Sequence, residues 1–158
     1  MTSALVAAAE QLGPIEVLEY SPYAGLVTVS PQELTVELLR DQIDPILFGA
    51  VAAAQAVLPA MRRVGTGTLL FTIGGGALQP YPMMASTNTA QAALRNWVHN
   101  LHNTLAHEGI QAATVAVNLM IGATAPEGVP HRSPDALAEI YRHLHTSARD
   151  EAEVVVGS

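Results

Sequence analysis

Cysteine and lysine are both absent from this chain. Without cysteine there are no disulfides, no thiol nucleophiles and no cysteine-ligated zinc or iron–sulfur sites. Without lysine there is no Walker-type phosphate loop, no Schiff-base chemistry and no mechanism that needs an ammonium group. Charge is sparse, at 13% of residues; seven arginines spread from Arg40 to Arg149 stand against 14 acidic residues, for a formal net charge of −7. No positive face is available to neutralise phosphates, which excludes base readout and argues against any nucleic-acid partner. Met1 to Leu12 lacks the basic start and long apolar centre of a secretory signal. The longest uncharged apolar run, Pro45 to Met61, is short for a bilayer span. A cytoplasmic protein with no membrane partner is expected.

What is present suffices for one folded unit. The 158 residues are 49% hydrophobic, enough to bury a single core and too few for a second. Thr2 to Leu12 has helical spacing and stops at Gly13-Pro14, and Ile15 to Tyr20 alternates as a strand does. Ser30-Pro31-Gln32-Glu33 has the form of a helix start with a capping box, and the helix is expected to run to Met61 with a kink or restart at Pro45. Gly67 to Ile73 and Ala112 to Leu119 are nearly continuous apolar runs, as in strands covered on both faces. Ser86 to His107 returns to helical period and ends at Gly109. Ser133-Pro134-Asp135 opens a last helix to about Thr146, before a short strand from Ala152 to Val156. Strands alternating with helices predict an α/β fold: a partial Rossmann-like three-layer arrangement with about four parallel strands.

The local words point further. Leu12-Gly13-Pro14-Ile15-Glu16-Val17-Leu18, Phe48-Gly49-Ala50 through Gln55 to Met61, Gly67 to Ile73 and Ala90-Gln91-Ala92-Ala93-Leu94 together resemble the second half of a short-chain dehydrogenase/reductase, over about residues 5 to 125. The resemblance implies a nicotinamide dinucleotide held on a glycine-rich first βαβ unit, and a serine, tyrosine, lysine and asparagine at the reacting centre. This chain has no G-x-G-x-x-G, and its order of elements corresponds to the family's after that unit. At the positions that match the family's serine, tyrosine, lysine and asparagine stand Gly74, Thr87, Gln91 and Ile46. A threonine hydroxyl near neutrality does not replace the tyrosine without an activating base. Autonomous hydride transfer is therefore expected to be lost, with no cofactor bound.

Candidate site residues follow from that alignment. Gly74, Tyr81, Met84, Thr87 and Gln91 are expected to line a pocket for a small apolar molecule, with Tyr81 the candidate proton donor. Tyr81, flanked by Pro80 and Pro82, is equally readable as a packing tyrosine. Gly74-Gly75-Gly76 reads as a tight turn in which glycine relieves positive-φ strain. His99 and His102 share a helix face, but no third metal ligand is evident and no metal is expected.

From Leu47 to Leu58 only Gln55 is polar, and a helix without a polar face must be covered on two sides. The resemblance implies a dimer, or a complex with another chain of the family, through the helices at 47–61 and 87–107. The edge of the Ile15–Tyr20 strand is expected to be bare and open to pairing. Three functions remain open: a cofactor-independent enzyme or binding protein, an NAD(P)-dependent oxidoreductase completed by a partner chain, and a non-catalytic structural or regulatory subunit.

Overall fold

The computed structural model describes residues 2–157. Two apolar runs form its centre: strand β2, Gly67–Gly74, pairs in parallel along its whole length with β3, Ile110–Val117. Strand β1, Val17–Tyr20, flanks β2, and β6, Glu153–Val156, flanks β3, so a four-stranded parallel sheet runs β1-β2-β3-β6. Alternation along β2 divides the core. Leu69, Phe71 and Ile73 face one side, with Ala112 and Ala116 of β3, and meet helices α3, Gly49–Val64, and α4, Ala85–Leu105. Leu70, Ala113, Val115 and Val156 face the other side and meet Leu137 and Leu144 of α5, Pro134–Thr146. Helices on both faces of a parallel sheet follow from strands apolar on both faces.

Small side chains let the helices approach closely. Ala50, Ala53 and Ala54 of α3 and Ala90 of α4 are almost fully buried against the sheet. Gly67 is required at the start of β2 because Met61 fills the space of its missing Cβ, which would lie 2.4 Å from the sulfur. The Phe71 ring meets Trp97 edge-on at 5.6 Å. Helix α1, Thr2–Leu12, packs across α3.

The central helix departs from expectation at its start and at Pro45. Ser30 donates to Glu33 at 2.7 Å, but residues 31–33 form only a turn. The helix α2, Val36–Ile43, begins later, with the Thr35 hydroxyl accepting from Leu38 N–H. Just before that turn, Val29 bridges Met84 in extended conformation. Pro45 neither breaks nor restarts the helix. Asp44–Phe48 adopts a wider π turn, closed by Gly49 N–H on the Asp44 carbonyl, which accommodates the proline ring. The continuous helix from Val36 to Val64 has 29 residues and is long and apolar enough to cross a membrane by length and composition, more than its uncharged stretch alone gives. Its inner face, with Val57 and Met61, lies in the core of the fold.

Strand boundaries move by two residues. β1 starts at Val17 rather than Ile15, and β3 spans Ile110–Val117 because left-handed Gly109, at φ 74°, turns α4 directly onto the sheet. A short parallel ladder of β4, Met120–Ile121, with β5, His131–Arg132, follows β3 and has no counterpart in the sequence reading. The last helix starts as expected, with Ser133 accepting from Ala136 N–H.

Candidate functional site

Parallel strands end together, and the loops that leave them enclose a crevice at their carboxyl ends. Here that crevice is a cavity of about 650 Å³. Its walls come from the loop after β1 (Pro22 to Leu26), Gln42 and Ile46 of the central helix, Gly74 to Gly76 and the loop through Tyr81, the first two turns of α4, and Val117 to Leu119. Gly74, Tyr81, Met84, Thr87 and Gln91 all border it, as does Ile46.

Amide side chains organise this space. Gln91 accepts the Gly74 N–H at 2.9 Å, and a Cβ at Gly74 would stand 3.1 Å from the same oxygen. Thr87 donates its hydroxyl to Gln42 Oε1 at 3.0 Å. Gln42 is buried, and its Nε2 reaches back to the carbonyls of Ala24 and Gly25 at 3.3 and 3.4 Å, fixing the loop after β1. Asn88 donates to the Tyr81 carbonyl at 2.8 Å, and Asn118 donates to that of Gly157 at 3.3 Å. The glycines between them serve close approach, not backbone freedom: Gly74, Gly75 and Gly76 all have negative φ. A Cβ on Gly75 would meet Asn118 Oδ1 at 2.4 Å, and one on Gly76 would meet Asn88 Oδ1 at 2.1 Å.

Tyr81 is 61% exposed at the mouth of the cavity, so it is not a packing tyrosine. Met84 borders the cavity, while Met83 is exposed and does not. Gln42, Asn88 and Asn118 are site residues that the sequence reading missed. An asparagine beside Thr87 was the available signal; Gln42 stands among the charged residues Arg40, Asp41 and Asp44 and gave none.

Charged groups lie elsewhere. Among the described residues the lining contains no Asp, Glu, Arg or His. His99 contacts Glu153 at 3.3 Å and His102 the Ala112 carbonyl at 3.0 Å, so the two histidines of one helix face serve different partners. Among the described residues no three His, Asp or Glu side chains are grouped as a metal site requires. Arg95 grips Glu153 with two bonds of 2.5 and 2.7 Å, and these, helped by Thr114 and His99, hold the Glu153 carboxyl below the usual carboxylate range despite its burial. Burial pushes the Tyr20 and Tyr141 phenols up; Tyr20 donates to the Pro45 carbonyl at 2.6 Å.

The resemblance implies a nicotinamide dinucleotide, with its pyrophosphate on the first βαβ unit and its reacting end beside the family's lysine. The position of that lysine holds Gln91, already engaged by Gly74, and among the described residues the side chains at this cavity carry no positive charge. These residues do not fit the reacting end of the cofactor.

A family description, short chain dehydrogenase, matches residues 1–127. Comparison with curated proteins gives no match. Solved structures share the fold. A halohydrin dehalogenase bound to ethyl (2S)-oxiran-2-ylacetate is 18% identical over 98% of this chain and 71% of its own, with a TM-score of 0.85. The L-sorbose reductase of Gluconobacter frateurii complexed with NADPH and L-sorbose is 17% identical over 98% and 69%, with a TM-score of 0.84. An acetoin dehydrogenase of Salmonella typhimurium is 16% identical over 98% and 68%, also at 0.84. At such identities the likeness is one of fold.

Proposed function

The chain belongs to the short chain dehydrogenase family, and from that premise we propose that it binds a small molecule in the cavity at the carboxyl ends of β1, β2 and β3 without itself transferring hydride. One observation carries the reading. The positions aligned with the family's four reacting residues meet at one cavity and hold Gly74, Thr87, Gln91 and Ile46, none of which is a base or a cation near neutrality. What this chain supplies there is orientation: the Gln91–Gly74 and Thr87–Gln42 bonds fix the walls, and Asn88 anchors the loop that carries Tyr81. Any activity would be cofactor-independent, with the Tyr81 phenol as the proton donor at the mouth. The test has two arms. Calorimetric titration with NADH and NADPH is expected to give no binding, and crystals soaked with a broad fragment set are expected to show density beside Gln91. Micromolar NADH binding, or a cavity that stays empty throughout the set, would remove the reading.

A second reading has its own support. Among the described residues β1 pairs only with β2, its Val17 is 39% exposed, and the sorbose reductase, whose structure carries NADPH, has a longer chain. A relative's chain set beside β1 would then supply the cofactor half, with helices 47–61 and 87–107 joining the subunits. Native mass spectrometry with a full-length relative, with and without NADPH, separates this from a homodimer or a lone chain.

A further inference from the structure

Three cavities differ in charge. The groove between α1 and α3 is bordered by Glu10 and Arg63, and the hollow at the amino ends of the strands by His102, Arg149 and Asp150. Among the described residues, the cavity at the carboxyl ends has no such residue in its lining. An ion drawn into it would lose hydration without meeting a counter-charge, a cost that excludes carboxylates, phosphates and ammonium groups alike.

The lining amides differ in how far they are committed. Gln42 is engaged at both its oxygen and its nitrogen, Asn88 and Asn118 each donate once to a backbone carbonyl, and Gln79 is exposed at the rim with no side-chain partner among the described residues. Gln91 is the half-buried amide whose oxygen accepts from Gly74, which orients it, while its Nε2 has no protein acceptor among the described residues. A half-buried amide N–H₂ on a cavity wall is a donor looking for an oxygen.

We propose that the cavity selects an uncharged molecule bearing an acceptor oxygen (carbonyl, ether or hydroxyl) which takes a hydrogen bond from Gln91 Nε2. This rests on the reading of the cavity as a binding site and names the class of its ligand. The probes are acetophenone, benzoate and benzamidine, alike in shape and differing in charge, titrated into the amide-labelled full chain and followed by NMR. Acetophenone is expected to move the Gly74 and Gln91 signals, and the two ions to bind at least tenfold more weakly. Gln91→Glu keeps the acceptor for Gly74 N–H but replaces the free donor with an acceptor. It is expected to weaken acetophenone at least tenfold and to favour benzamidine. Should that variant fail to fold, Gln91→Met removes the donor without charge, together with the acceptor for Gly74 N–H, and is expected to weaken acetophenone equally. Benzoate or benzamidine binding as tightly as acetophenone overturns the inference, as does acetophenone binding that survives loss of the donor or never reaches the cavity. A charged fragment seated there in soaked crystals would sink the inference alone and leave the binding site standing, whereas an empty cavity sinks both.

Discussion

The two ends of the sheet are built from different chemistry. At the amino ends of the strands, Arg149 spreads its guanidinium over the carbonyls of Gly67, Gly109 and His145 and the Thr68 hydroxyl, and Arg62 pairs with Glu108 nearby. At the carboxyl ends the walls of the cavity are tied by neutral amides and hydroxyls alone. The division teaches where charge is used in a chain that has little of it: to fasten the turns at one end and, at the other, only outside the cavity, where the Glu19 carboxylate accepts from Ser21 and Thr72. It also separates stability from binding, so each end can be broken without the other.

The largest effect belongs to the amino end. Arg149→Met keeps the length of the side chain and removes its donors, leaving the carbonyls that close two turns without their partner. Hydrogen bonds to a charged group contribute about 1.5–3 kcal/mol each and do not add, so the loss is expected at about 2–3 kcal/mol. Urea unfolding should show it as a lower midpoint, with ligand binding at the cavity unchanged. A midpoint within error of the parent would refute the assignment of Arg149 as a clamp.

Gln42→Leu makes the same cut at the carboxyl end. It removes both bonds that tie the loop after β1 to the helix and leaves the Thr87 hydroxyl without its acceptor, at an expected cost of about 1–2 kcal/mol. The more telling readout is local. Backbone order parameters at Ala24 and Gly25, whose carbonyls lose their donor, should fall while those of the strands stay high. A fall spread evenly over the sheet would mean that Gln42 supports the whole fold and not the cavity wall.

How much of this was legible depended on the reach of each determinant. The Ser133 cap, the Gly109 terminator and the apolar runs of β2 and β3 act within a few residues and were read from the chain. The start of α2 was not: two capping hydroxyls, Ser30 and Thr35, stand five residues apart, and the structure spends the first on a turn and opens the helix at the second. Pro45 signalled a disturbed helix but not its form; the π turn depends on what surrounds the ring. At the cavity, Gly74, Tyr81, Met84, Thr87 and Gln91 were found through the alignment of words. Gln42, Asn88 and Asn118 were missed because each is a site residue only by virtue of a partner distant in sequence or a glycine packed against it. The pocket expected to hold a small apolar molecule has five amide side chains in its lining for the same reason: a polar side chain is counted toward a site only once its neighbours are known.

The smallest effect tests whether charge outside the cavity is merely structural. Glu153 opens β6 and takes bonds from Arg95, Thr114 and His99, so its carboxyl is easier to ionise in the folded chain than in the unfolded one, where about 4.3 is usual for glutamate. The unfolded state therefore holds this proton more readily than the folded state does. The stabilisation is complete above the ordinary carboxylate range and is lost as pH falls through the lowered folded value. Arg95 is 35% exposed in its side chain, and solvent screening keeps the whole contribution within about 1 kcal/mol. Comparing the parent with Glu153→Gln by urea unfolding from pH 7 down to pH 3 isolates it. The parent's advantage should be greatest at pH 7 and shrink with acid, while cavity binding at pH 7 is the same in both. An advantage that persists undiminished at pH 3 would place its origin in packing at the start of β6, and a change in binding at pH 7 would show that the two ends of the molecule are not independent.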